Sequence, residues 1–173
     1  MSYLHKIFFI FLIISIPQNL IADTPYFLDF KFILNESNAG KKAQIFLKTK
    51  LEKGIKELKS KEKNIQDEEK KIIQQKKIIS PEEYRKKVSG LRSKVSSLQK
   101  ERNKLLDSVA KQRSAAKKEL LKNLNPIIKK YMEDNKIRMV VDKKSLLLAD
   151  ENLNITKEIL DLLNKKLNTI KLN

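Results

Sequence analysis

The chain has 173 residues, 34% of them charged, and a formal net charge of +17. It has no Cys or Trp, and its one His is His5, so downstream of the N-terminal segment there can be no zinc site, Cys nucleophile or His general base. Gly40, Gly54 and Gly90 stand alone and form no phosphate loop, and no spacing singles out carboxylate-only or Ser-Lys chemistry. The expectation is a non-enzyme with neither cofactor nor metal.

The N-terminus reads as a secretory signal peptide at 1–22. Lys6 supplies the positive region, residues 7–16 an apolar run, and Leu20-Ile21-Ala22 a small-residue cleavage site. An apolar run of about ten residues is too short for a bilayer span, which needs ~20. No Cys follows the site, so lipoprotein processing is excluded.

Pro25-Tyr26-Phe27-Leu28-Asp29-Phe30 suits a short strand, and 31–36 one turn of helix. Ser37 then caps a first long helix over 37–79, about 43 residues or ~65 Å. Its stripe begins Leu47, Leu51, Ile55, Leu58 and thins to Ile65, Ile72 and Ile79, one per heptad.

Ile79-Ser80-Pro81-Glu82-Glu83 ends that helix and starts another. Pro81 drives Ser80 out of the helical region, Ser80 caps the second helix, and Glu83 completes a capping box. The return helix carries Tyr84, Val88, Leu91, Val95, Leu98, Leu105, Val109, Ala116 and Leu120 at coiled-coil spacing. A turn near 79–81 pairs positions summing to about 160: Ile72 with Val88, Ile65 with Val95, Ile55 with Leu105, Leu51 with Val109. Leu91 and Leu98 face Glu69 and Glu62, so the seam is half apolar, and Gly54 and Gly90 are candidate flex points.

Asn125-Pro126 repeats the cap-plus-Pro signal, so the helix is expected to kink or restart there and to end near Asn135. Strands are expected over 137–142 and 146–149 with a turn at Lys143-Lys144. Asn154 or Thr156 then caps a last helix that buries Ile159, Leu160, Leu163 and Leu167.

The fold class expected is α+β, predominantly α: a long antiparallel helical hairpin inserted into a small β-containing body. The body comprises 23–40 and 123–173, the arm 41–122. The arm holds 26 of the 38 basic residues but 11 of the 21 acidic ones, hence +15 of the net charge, and should attract an anionic partner. A body this small is marginal as a single core and has open strand edges, so oligomerisation through it is expected, with Phe27, Phe30, Val140, Val141, Leu146 and Leu148 as core or interface.

In this layout, two segments resemble the Skp/OmpH-like periplasmic chaperones. The first runs from Phe27-Leu28-Asp29-Phe30 through Ser37-Asn38-Ala39-Gly40 to Lys42-Ala43. The second runs from Val140-Val141-Asp142 through Leu148-Ala149-Asp150 to Asn154-Ile155-Thr156 and Ile159-Leu160. The chain lacks the Gly that relatives often place before Ile137. The resemblance implies a periplasmic homotrimer whose helical arms hang around a cavity and hold unfolded outer-membrane proteins without nucleotide. On that reading Ile73, Ile78, Tyr84, Lys76, Lys77, Arg85, Lys86 and Lys87 at the arm tip are candidate client contacts, and the cations also suit anionic lipid headgroups. A structural coiled-coil protein of the envelope shares every arm feature. A nucleic-acid binder is the other alternative, which export and the lack of a groove-reading motif oppose, so no nucleic-acid partner is expected.

Overall fold

The computed structural model describes residues 24–172, and the expected signal peptide, 1–22, lies outside the described residues. Strand β1, Tyr26–Leu28, leads into a short helix α1, Phe30–Glu36, and then into the long helices α2, Asn38–Gln75, and α3, Pro81–Asp134. Strand β2, Val140–Asp142, comes next; two 3-10 turns at Lys143–Ser145 and Glu151–Leu153 precede the last helix α4, Thr156–Lys166.

Polar side chains punctuate these elements. Asp29 caps α1, accepting from the Phe32 amide at 2.7 Å. Ser37, fully buried, ends α1 and caps α2 by accepting from the Gly40 amide at 3.1 Å. The corner is tight, since a Cβ on Gly40 would lie 1.9 Å from the Leu34 carbonyl oxygen. Only glycine fits there.

At Ser80 the expected cap forms but the capping box does not close, since the Glu83 carboxylate lies 3.7 Å from Lys87 and accepts nothing from the Ser80 amide. The Ser80 hydroxyl accepts from the Glu83 amide at 3.2 Å, with Pro81 in the first helical turn. Helix α2 stops at Gln75 and not at 79. Gln75 O accepts from the amides of Ile78 at 2.9 Å and Ile79 at 3.1 Å, so 76–79 form a turn of their own and the tip is broader than expected.

Helix α3 runs unbroken through Pro126, with no restart. Proline costs one backbone bond there, but Leu124, Ile127 and Ile128 are buried in the core and hold the helix on course. α3 ends with Asn135 and with Lys136 in the left-handed region, φ 55°. Ile137 N donates to Met132 O at 2.8 Å and Lys136 N to Glu133 O at 3.3 Å, a Schellman closure built on lysine where the chain lacks glycine.

Among the described residues the sheet has two strands. β1 and β2 pair in parallel, Tyr26 with Val140, Phe27 with Val141, Leu28 with Asp142. The expected third strand at 146–149 is irregular backbone. The place beside β1 is taken instead by Asn154, bridged to Phe27, with Ile155 N donating to Phe27 O at 2.9 Å.

One core joins both ends of the described chain. It comprises Leu28 and Ile33, Leu124, Ile127 and Ile128 of α3, and Ile155, Ile159 and Leu163, with Tyr26, Phe30, Tyr131, Met132 and Val140 packed around it. Polar bonds fasten the two ends as well. Thr156 Oγ1 accepts from the Asp29 amide at 2.9 Å and donates to Asn154 Oδ1 at 2.6 Å. Asn164 Oδ1 accepts from the Asn38 amide at 2.8 Å, so α4 supplies a second cap for the start of α2.

The seam between α2 and α3 is thinner still than its heptads suggest. Leu47, Leu58 and Ile72 are buried on α2, Ala116 and Leu120 on α3. Leu51, Ile65, Val88 and Val109 are half-buried, but Ile55 and Val95, placed in the seam by the pairing rule, are exposed. Leu105 packs over Gly54, where a Cβ would meet its methyl carbons at 2.5 and 2.7 Å. Gly54 is a socket. Gly90 has nothing within 4 Å of such a Cβ and carries no packing role.

Candidate functional site

Two surfaces carry the residues of interest: the arm tip and one face of the body. At the tip, the turn 76–79 and the start of α3 bring the two runs of cations together. Ile72 is buried and Ile79 half-buried, closing the hairpin. Ile73 is 59% exposed and Ile78 83%. Leaving such side chains in water forgoes about 1.5–3 kcal/mol each relative to burial, so they are available for another apolar surface.

The tip cations divide by role. Lys87 is half-buried, donates to Gln75 Oε1 at 3.2 Å and lies 3.7 Å from Glu83, so its ammonium helps to close the hairpin. Lys76 sits 5.8 Å from the ring centroid of half-buried Tyr84, which props the turn against α3. Lys77, Arg85 and Lys86 are exposed and make no ion pair among the described residues. The tip thus offers Ile73 and Ile78 beside three unpaired cations, and Tyr84 and Lys87 serve mainly to shape it.

On the body, Phe27 is buried beneath the Lys143 ammonium, 5.8 Å from its ring centroid. Burial of Phe27 leaves it inside the subunit. Phe30, Val140, Val141 and Leu146 are half-buried, and Leu148 is 95% exposed. Leu147, which the sequence pattern does not single out, is fully exposed beside it. Two adjacent leucines in water on irregular backbone form an apolar step with no partner among the described residues. The only signal for it in the sequence is the four-residue apolar run itself.

The electrostatics near this face are local. Glu151 is held below the usual carboxylate range by a hydrogen bond from Asn154 and by Lys143. Among the described residues no group of three or more His, Cys, Asp or Glu could hold a metal ion, and no helix is long and apolar enough to cross a membrane.

Similarity to known proteins agrees with this geometry. The OmpH-like outer membrane protein family matches residues 26–163. The crystal structure of a protein from Caulobacter crescentus CB15, described as an outer membrane chaperone (OmpH-like), superposes with a TM-score of 0.80 over 87% of this chain and 90% of that one, at 19% identity. At that identity the likeness is one of fold. No curated protein matches the chain. The family match runs from β1 through both arm helices and into α4, and the chain belongs to the OmpH-like outer membrane protein family.

Proposed function

We propose that the chain is a nucleotide-independent holdase chaperone of the periplasm that binds unfolded outer-membrane proteins between flexible basic arms and prevents their aggregation. The observation that carries this reading is the arm itself: a hairpin bearing +15, with few buried seam residues and with Ile73 and Ile78 in water beside Lys77, Arg85 and Lys86. A holdase must accept many sequences without collapsing its own binding surface. Thin apolar contacts and long-range attraction to acidic chains meet that requirement, and several arms together raise the effective concentration of weak sites.

Three arms are supplied in this reading by a homotrimer joined through the bodies, where Leu146, Leu147 and Leu148 meet sister subunits. The tip cations also fit anionic lipid headgroups. Delivery to the periplasm rests on the signal peptide expected at 1–22.

Light scattering of an unfolded porin diluted from urea tests the proposal. Suppressed aggregation at one oligomer per porin is expected. Undiminished aggregation would remove the chaperone reading and leave a structural coiled coil of the envelope.

A further inference from the structure

The arm has two unlike sides. The seam of α2 is marked by Leu47, Leu58 and Ile72, and that of α3 by Ala116 with half-buried Leu98 and Leu105. At about 100° per residue, every other position falls to one side of its seam or the other. Cross-helix bonds show which sides match. Lys50 Nζ donates to Ser108 Oγ at 3.1 Å and Gln112 Oε1 at 2.9 Å, Lys61 reaches Glu101 at 2.5 Å, Lys94 reaches Glu68 at 2.6 Å, and Lys87 reaches Gln75 at 3.2 Å. All these residues lie on one side, which is laced shut.

Among the described residues the opposite side holds one ion pair that crosses between the helices, Arg102 with Glu62 at 3.6 Å, besides Lys48 with Glu52 within α2. It also holds Ile55 and Ile73 of α2 and Val95 and Leu106 of α3, each about 60–80° off its seam. These four are 40–59% exposed. Ile55 and Leu106 stand opposite each other in the register set by the polar bonds, and the set spans ~27 Å of arm. Single exposed apolar residues need no explanation. Between the arm root, where Ile45 and Phe46 point elsewhere, and the turn that carries Ile78, all the large exposed apolar residues share this side.

We infer that this unlaced side is the holding surface, and that its occupant is an extended, unfolded polypeptide whose apolar side chains alternate with carboxylates. This rests on the holdase reading above. Exposed Lys59, Arg92 and Arg113 flank the apolar steps, so the surface complements that pattern in both charge and apolarity. A second arm, itself at +15, is opposed on this surface by like charge, whereas the bodies remain free to join.

The test uses the full chain and a labelled unfolded peptide of repeating Leu-Ser-Asp-Gly units, with Ala-Ser-Asp-Gly and Leu-Ser-Lys-Gly peptides as controls. The variant Ile73→Gln, Val95→Gln, Leu106→Gln should bind the first peptide ~10-fold more weakly than the wild type, whereas Lys61→Gln with Glu101→Gln on the laced side should bind within twofold. A photo-crosslinker placed at Leu106 should capture the peptide and one at Ser97 should not, a readout independent of stability. Equal capture at both positions, or wild-type affinity in the triple variant, overturns the side assignment while leaving the holdase reading intact. Tight binding of the Lys peptide, or self-association lost in the triple variant, overturns the stated occupant. Failure of the wild type to bind any of the peptides or to protect porin removes the holdase reading and the assignment with it.

Discussion

Gly54 and Leu105 meet across the arm as hole and knob: the leucine methyls fill the space in which a Cβ on the glycine would lie, at 2.5 and 2.7 Å. Gly90, on the other helix, faces open solvent. The two glycines of the arm are therefore unlike.

Replacing Gly90 by Ala should stabilise the arm by about 0.5–1 kcal/mol, the usual helix preference. Gly54→Ala should gain nothing and lose about 1 kcal/mol, because overpacking displaces Leu105 and outweighs propensity. Thermal melts followed by circular dichroism decide between them. A Gly54→Ala variant that melts higher than wild type would show that the socket is slack.

Lys136 holds φ 55° to close α3, a conformation that disfavours a side chain by about 1–2 kcal/mol. Lys136→Gly should therefore raise stability by about 1 kcal/mol, and Lys136→Val should lower it. Urea midpoints at constant slope measure both.

Burial, and then the charges of Glu158 and Tyr26, hold the Tyr131 phenol above its ordinary value. The folded state thus keeps this proton longer than the unfolded chain, so the contribution to stability is present below pH ~10 and is lost as pH rises through the folded value. Tyr131→Phe should flatten the loss of stability between pH ~8 and ~11, which denaturant titrations at the two pH values will reveal.

Charge reversal of Lys76, Lys77, Arg85 and Lys86 should weaken capture of unfolded porin more at low salt than at high, since exposed charges are screened over ~8 Å at physiological ionic strength. Equal losses at both salt concentrations would show that long-range attraction is not the cause.

Leu147→Asp with Leu148→Asp should lower the mass of the native assembly and leave helicity unchanged, because both side chains already lie in water within one chain. Val140 is less suitable, being packed against the core. Sedimentation gives the mass; an unchanged assembly would place the interface elsewhere.

How much of the fold is legible in the sequence depends on the range of the physics involved. The break at Ser80-Pro81 and the corner at Ser37 are legible because each cap is decided by a few adjacent residues. The Leu146–Ala149 run reads as a strand and is not one, since apolarity alone does not distinguish pairing from an exposed step. Pro126 signals an interruption that the surrounding core overrides. The pairing rule places Ile55 and Val95 in the seam, whereas each lies about 60–80° to one side of it and stays exposed. The lysine in the Schellman closure and the cap lent by Asn164 depend on distant or strained backbone, and no local pattern announces them.

Tyr26 pairs with Val140 in parallel, so the whole arm is the crossover between two neighbouring strands. During synthesis β1 emerges about 110 residues before its mate, and closing a flexible loop of that length would be slow and entropically costly. A hairpin that zips up from Ser80 through near-neighbour contacts would carry Leu124 back to within reach of Leu28 and replace that single long closure with many short ones. The appendage is thus also a folding template, and lesions at its far end should delay maturation of a hub they never touch.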